Sequence, residues 1–286
     1  MEDLILYKKP ELLNPRMIIG LDGWPNAGKV STNVVKYLIR KLGARKFAEI
    51  RPDNFYVFSS TRPLTSIEEG ELKDFTLPAS EFSYWKDEMT LKDLIFLLAV
   101  EPDLRWYEYA DVISHLARDY QVRRIYTLGG VGDYVSHKEE PRVSAVVNDP
   151  KLKKDLEQYQ IEFIDYQGSS SFHAFLHSKK EIEVISLWGT VPIYLSQNPK
   201  VYHAVLQRLV PLLELDLDLE DMREASEKMD EEVNKLVTQN PKLKEFIEDL
   251  EKSYEADLKP PPSFDIERLM RDIEGFLRKE KGDEIG

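Results

Sequence analysis

The chain has 286 residues, of which 42% are hydrophobic, a formal net charge of −13 and no cysteine. That much apolar material supports a sizeable core and excludes a disordered chain. The acidic balance opposes phosphate backbones and anionic lipid, so neither nucleic acid nor a membrane is expected as a partner. Without cysteine there is no disulfide, zinc thiolate, iron–sulfur ligation or thiol catalysis.

The opening residues, MEDLILYKKPELL, are acidic and lack a long apolar stretch, so no signal peptide is expected. Residues 16–22 (RMIIGLD) form a short apolar run ending at Gly23 and predict a buried strand. Residues 27–42 predict a helix, with Val30, Val34, Tyr37, Leu38 and Leu42 on one face and Gly43 as its stop. KFAEIR, residues 46–51, predicts the next strand, and the short joints favour a parallel pair. Residues 53–87 hold FYVFSS, LKDFTLP and EFSYWKD, short aromatic segments between turn residues, which predict a small antiparallel excursion.

Leu94–Val100 (LIFLLAV) lacks alternation, as a central strand covered on both faces requires. It is also the longest apolar run and falls far short of a membrane span, so the cytoplasm is the expected location. Residues 106–120 predict a helix and residues 122–128 a strand entering Gly129-Gly130. Further strands are expected at 142–147, 161–165 and 182–187, with helices at 172–180 and 200–213. The character changes near residue 214. From Glu214 to Asp257 sixteen acidic residues face six basic ones, while Met222, Ala225, Met229, Val233 and Leu236 repeat at helical spacing. Asn240 caps a second helix, with Pro241 in its first turn and Leu243, Phe246, Ile247 and Leu250 as its stripe. Pro260-Pro261-Pro262 reads as a stiff spacer before a final helix at 266–279. The organisation expected is one α/β core domain, residues 1–213, followed by an acidic helical hairpin and final helix, residues 214–286. The apolar stripes of that extension must be buried, against the core or against a sister subunit.

Five segments invite a chemical or contact reading. GWPNAGKVS, Gly23–Ser31, follows a strand and opens a helix like a phosphate-binding loop. The eighth position of that pattern is Val30, where a hydroxyl must reach magnesium, and Ser31 lies about 100° further round the helix. Pro25 also removes an N–H, so a glycine turn that lets a strand enter a helix is the plainer account. TLGGVGDYVSH, Thr127–His137, is a second glycine-rich strand exit without the G-x-G-x-x-G spacing. GSSSFHAFLH, Gly168–His177, lacks the closing glycine of a nucleophile elbow. Its His173 and His177 stand i, i+4 without a glutamate between them, so no metal site is expected. Glu101 and Asp103 lie within reach of Arg105, as a solvated loop ion pair. Trp188, Pro192 and Tyr194, in SLWGTVPIYLSQNPK, are either core or the rim of an interface.

Taken together, GLDGWPNAGKVSTNVVKYL, FAEIRPDNFYVF, EFSYWKD, the block from LIFLLAVEPDLRWYEY to RRIYTLGG, SLWGTVPIYLSQNPK and the tail FDIERLMRDIEGFLRK resemble the proteasome assembly chaperone family, in its archaeal and bacterial branch. The likeness covers most of residues 17–279. It implies a three-layer, phosphorylase/hydrolase-like α/β fold with a mixed, largely parallel sheet, assembly into homo-oligomers, proteasome-like α-subunits or another protein as partners, and no catalytic residues or cofactor. The match at Gly23, Trp24, Ala27 and Gly28 does not carry Lys29 over as a nucleotide ligand. Two departures stand out. The chain ends Asp283-Glu284-Ile285-Gly286, where ring-docking relatives end in hydrophobic–tyrosine–any residue, and YQGSSSF at 166–172 replaces a loop more like YEGPTG. The expected function is a non-catalytic protein-binding scaffold; the alternative is a nucleoside, nucleotide or phosphate binder or hydrolase working at the glycine-rich strand ends. The candidate contact surface is Gly23, Trp24, Asn26, Gly28, Gly129, Gly130, Trp188, Pro192 and Tyr194.

Overall fold

The computed structural model describes residues 3–87 and 92–255, with 270, 271, 273 and 275 beyond them. Nine strands build one sheet in the order β1-β3-β6-β7-β2-β8-β11-β9-β10. They are β1 (Leu4–Leu6), β2 (Arg16–Asp22), β3 (Arg45–Ile50), β6 (Ser80–Trp85), β7 (Leu94–Val100), β8 (Arg124–Asp133), β9 (Val143–Val147), β10 (Glu162–Phe163) and β11 (Glu183–Pro192). β4 (Leu64–Glu68) and β5 (Glu71–Thr76) pair only with each other. The centre, β7-β2-β8-β11, is parallel, and antiparallel pairings join both flanks to it.

The centre is parallel because its strands are apolar on both faces, and helices cover each face. Met17, Ile19 and Leu21 of β2 meet α2 (Trp106–Asp119) and α4 (Phe172–Ser178). On the other face Ile18 meets α1 (Val30–Leu42) and α5 (Pro199–Leu212), with the short α3 (Lys153–Leu156) beside them. This is the three-layer α/β arrangement with a mixed sheet that the sequence leads one to expect.

Several local expectations change. β2 and β3 run the same way but are not neighbours, because β7 and β6 lie between them. The uninterrupted apolar run of β7 needs a place with both edges paired, and it takes the one beside β2. EFSYW is not part of an excursion: as β6 it bridges β3 and β7. Only β4 and β5 form a separate antiparallel piece. β8 does not stop at Leu128. It runs through Gly129, Gly130 and Gly132 to Asp133, since β11 pairs with it along its whole length to Pro192↔Asp133. The strand expected at 161–165 is reduced to Glu162–Phe163. The helix expected from residue 27 begins with a 3₁₀ turn, Ala27–Lys29, and becomes regular only at Val30.

The acidic extension forms α6 (Glu220–Gln239) and α7 (Pro241–Glu255). Their stripes close over the segment that follows β11. Tyr194 and Leu195 are buried with Val233, Leu236, Leu243, Phe246, Ile247, Leu250 and Ile273. Polar ties reinforce the contact. Tyr37 donates to Asp221 at 2.7 Å, and Ser136 donates to Glu251 at 3.0 Å. His137 Nε2 pairs with Asn234 Oδ1 at 3.1 Å. The Pro260–Pro262 spacer lies outside the described residues, as does most of the helix expected at 266–279.

Phe246 is buried and meets Tyr194 edge-on with ring centroids 6.0 Å apart. Phe246→Ala is expected to cost about 3 kcal/mol in urea-unfolding free energy, the range for a buried phenylalanine. A change below about 1 kcal/mol would show that the hairpin is not held to the core in this way.

Candidate functional site

In an open α/β sheet the natural ligand crevice lies at the carboxyl ends of the strands where the connections part in opposite directions. Here α1 leaves β2 toward β3 on one flank, while α2 carries the chain from β7 across to β8 on the other. The switch point is therefore β2 and β8, where both glycine-rich segments meet.

The crevice is closed by the chain itself. Pro25 accepts a hydrogen bond from the Gly130 N–H at 2.9 Å, and Asn26 forms a β-bridge to Gly130. A Cβ on Gly130 would overlap the Ala27 carbonyl oxygen. Gly28 takes φ +56°, and a Cβ there would sit 2.6 Å from Val191 Cγ1. Both glycines serve close packing rather than ligand access.

The loop is pinned from within. Asn26 Nδ2 donates to Asp22 Oδ1 at 2.8 Å and to Thr32 Oγ1 at 3.0 Å, and Asn26 Oδ1 accepts from the Thr32 N–H at 3.1 Å. Lys29 Nζ reaches Asp22 at 3.4 Å. Burial opposes ionisation of Asp22, but the hydrogen bond from Asn26 and the charge of Lys29 outweigh it and hold the carboxyl below its usual range. The Gly23 N–H goes to Asp22, that of Trp24 to Glu101, that of Asn26 to Gly23 and that of Lys29 to Asn26. A phosphate cradle needs these donors free and the site positive. Here they are taken, and an ionised Asp22 stands among them. Ser31, one residue late for magnesium, instead accepts from the Leu21 N–H at 2.8 Å and fixes α1 to β2.

The predicted surface residues thus separate. Gly23 and Trp24 are exposed, Trp24 at 58%. Asn26, Gly129, Gly130, Pro192 and Tyr194 are buried. Trp188 is partly buried, its ring against Gly129 and 5.6 Å from the His173 ring. Tyr194 is fully enclosed and accepts from the His137 N–H at 2.7 Å.

Exposed apolar side chains outside the candidate contact surface gather at the same pole. Val57 follows β3, Leu104 and Tyr107 follow β7, and Val131 lies near the end of β8. Their loops are stitched together. Asp103 Oδ2 accepts from the Val57 N–H at 2.8 Å and from Thr61 Oγ1 at 2.9 Å. Glu101 accepts from the N–H groups of Trp24 and Phe172, the latter at 2.7 Å, which ties the β2 loop to the start of α4. The loop ion pair expected with Arg105 is not formed by Glu101 or Asp103, because both carboxylates serve backbone and hydroxyl donors. Arg105 pairs with Glu108 at 3.2 Å.

Beneath α4, His177 Nε2 meets Ser186 Oγ at 2.7 Å, and Ser186 bonds Thr127 Oγ1. Neither ring nitrogen of His173 has a hydrogen-bond partner among the described residues. Burial lowers His173 to about 3, helped by the nearby His177, and lowers His177 to about 4. Among the described residues no group of three or more histidines and carboxylates is placed to hold a metal, and no helix is long and apolar enough to cross a membrane.

Fold and pole together define an α/β protein whose switch-point crevice is filled by its own chain and whose strand-end loops carry an exposed apolar rim. The family model of the PAC2 family matches residues 20–237. The chain belongs to the PAC2 family, in agreement with the resemblance carried by its motifs. Among solved structures it is similar to a PAC2 family protein from Streptomyces avermitilis, at 26% identity over 78% of this chain and 95% of that one, with a TM-score of 0.71. It is similar to a proteasome-assembly chaperone homologue from Mycobacterium tuberculosis, at 22% identity over 81% and 99%, TM-score 0.71. It is also similar to PbaB of Pyrococcus furiosus, described as an archaeal proteasome activator, at 25% identity over 82% and 99%, TM-score 0.65. No curated protein matches the sequence.

The two buried histidines give a pH dependence with a definite sign. Their folded pKa values lie below the unfolded value of about 6.5, so their contribution is fully present above that pH. It is lost as pH falls toward 4, at roughly 1.4 kcal/mol per pH unit for each histidine that must charge on unfolding. His173→Leu is expected to keep pH 7 stability within about 1 kcal/mol, since it removes two unpartnered polar atoms. It should also flatten the loss between pH 6.5 and 4 by about one proton's worth. Unfolding midpoints across that range, with an unchanged slope in the variant, would contradict this account.

Proposed function

We propose that this chain is a non-catalytic protein-binding scaffold that acts on proteasome-like α-subunits, as a proteasome-assembly chaperone does. The observation that carries this reading is Trp24, an exposed indole on a loop held by Asp22, Asn26, Thr32 and Gly130, at the same strand-end pole as the exposed Val57, Leu104, Tyr107 and Val131. A large aromatic side chain on a preorganised support is the usual energetic centre of a protein interface, because little motion remains to be frozen on binding. Membership of the PAC2 family, and relatives named as a proteasome-assembly chaperone homologue and a proteasome activator, support the partner class. The small-molecule alternative finds no room at the switch point, where Pro25 and Asn26 occupy the crevice. The site of action in this reading is the cytoplasm.

Light scattering of the purified protein mixed with the α-subunit from the same organism is the direct test. A complex heavier than either component is expected, and Trp24→Ala should weaken it about tenfold or more while leaving thermal stability within a degree or two. Absence of any complex at tens of micromolar would overturn the partner, and full binding by the variant would overturn the surface.

A further inference from the structure

The opposite pole, at the amino ends of the central strands, holds a cleft of about 200 Å³. Its floor is cationic. Arg16 opens β2, Arg123 stands just before β8 and Arg124 opens it. The walls come from Asp155 of α3, Tyr159, the end of α5 at Pro211 and Leu212, and Glu214. The rest of both strands is apolar, so these arginines mark the point where the sheet leaves the core.

Arg16 and Arg124 are register partners in the parallel β2–β8 pair, on strands roughly 4.8 Å apart. Two positions further on, Ile18 and Tyr126 enter the core on the α1–α5 side, so both arginines lie on that face. Their side chains are only 9% and 14% exposed. Like charges set side by side repel, and more strongly out of water, so the pair needs anions. The chain supplies them from the rim. Glu214 pairs with Arg16, while Asp155 and Glu183 pair with Arg124 at 2.9 and 2.8 Å. Lys92 holds Glu214 from its other oxygen at 3.1 Å. Arg16 Nη1 also donates to the Leu213 carbonyl at 3.1 Å, which offsets the negative end of α5.

The pairing is asymmetric. The cations are fixed in the floor, whereas Glu214 and Asp155 stand about half in solvent. Ion pairs with so exposed a partner contribute roughly 0–1 kcal/mol, so exchanging such a carboxylate for another anion costs little. Arg123 is exposed and makes no ion pair among the described residues. The lining thus sets three arginines against Asp155 and Glu214, on a chain whose net charge is −13. Guanidinium forks match the oxygens of a phosphate. The cleft is smaller than the roughly 300–1,000 Å³ of sites for drug-sized ligands, so it suits a phosphate carrying few further atoms.

We propose that this cleft binds a phosphate group, free or as a small monoester, with Arg16, Arg123 and Arg124 as donors and with Glu214 and Asp155 as the anions it displaces. Arg16 keeps the Leu213 carbonyl and turns its other nitrogen to the ligand. Arg124 keeps Glu183 on Nε and gives up Asp155 on Nη2. The site is remote from Trp24 and from both glycine-rich loops, and it stands whether or not the scaffold role holds.

Calorimetric titration with inorganic phosphate and with glycerol 3-phosphate, at neutral pH and low ionic strength, tests it. One saturable site is expected. A tighter ester would assign Tyr159, Pro211 and Leu212 to the rest of the ligand; equal affinities would assign the site to phosphate itself. Arg123→Ala should weaken binding about tenfold or more, with an unaltered circular dichroism spectrum because the side chain is exposed. Glu214→Gln and Asp155→Asn together should tighten binding several-fold, since the competing carboxylates are gone. No saturable heat with either probe up to about 10 mM, where binding would be weaker than about 3 kcal/mol, would overturn the proposal. Binding indifferent to Arg123→Ala, or weakened by the two carboxamides, would overturn it as well.

Discussion

The seating of Pro25 and Asn26 on Gly130 is the contact on which the rest of the strand-end pole depends. It exists because β8 continues through its glycines as a paired strand and leaves a bare backbone edge where a side chain would otherwise stand. Asn26 then spends its amide on Asp22 and Thr32, so three short-range hydrogen bonds, each worth about 1 kcal/mol, fix a loop that is otherwise rich in glycine. One consequence is chemical: the crevice where α/β proteins of this topology hold ligands is filled. The other is mechanical, because Trp24 is held in solvent by a support that cannot fold away.

The same economy extends across the pole. Carboxylates that composition alone would assign to solvated ion pairs are used as backbone receptors. Glu101 joins the β2 loop to α4, and Asp103 joins the β7 loop to the segment leading into β4. Loops that would otherwise fray become one continuous, rigid, partly apolar surface. The polar side chains beneath α4 are a different case. Thr127, Ser186 and His177 Nε2 bond one another, whereas His177 Nδ1 and both ring nitrogens of His173 find no hydrogen-bond partner among the described residues, and both histidines are kept neutral by burial. They make this part of the core sensitive to acid without giving it an accessible reactive group.

At the far end of the chain, the acidic helices solve a problem created by β11. That strand runs on to Pro192 and delivers Ile193, Tyr194 and Leu195 beyond the cover of α1 and α5. The stripes of α6 and α7 bury them, while the acidic faces of both helices remain in water. Tyr194 is therefore core, and its hydroxyl serves His137 rather than a partner.

Much of the architecture was legible in the residues. The apolar runs at 16–22 and 94–100 have no alternation, so they had to be central strands, and the helical stripes of 106–119, 199–212 and 220–255 each specify one buried face. Periodicity is a local property, and it located these elements because each buries its own face. Neighbour relations are not local. Which strand lies beside β2, whether Gly129 and Gly130 are loop or strand, and whether Trp24 or Tyr194 meets solvent all depend on partners dozens of residues away. The exposed β4–β5 hairpin is the clearest instance. Leu72 and Phe75 share a side only because one residue bulges out of the ladder, a property of the pairing and not of either strand. Sequence by itself determined the class of fold, its core and its family; only the tertiary structure decided which glycines close a crevice and which aromatics are left in water, because those outcomes are set by backbone approach between segments distant in the chain.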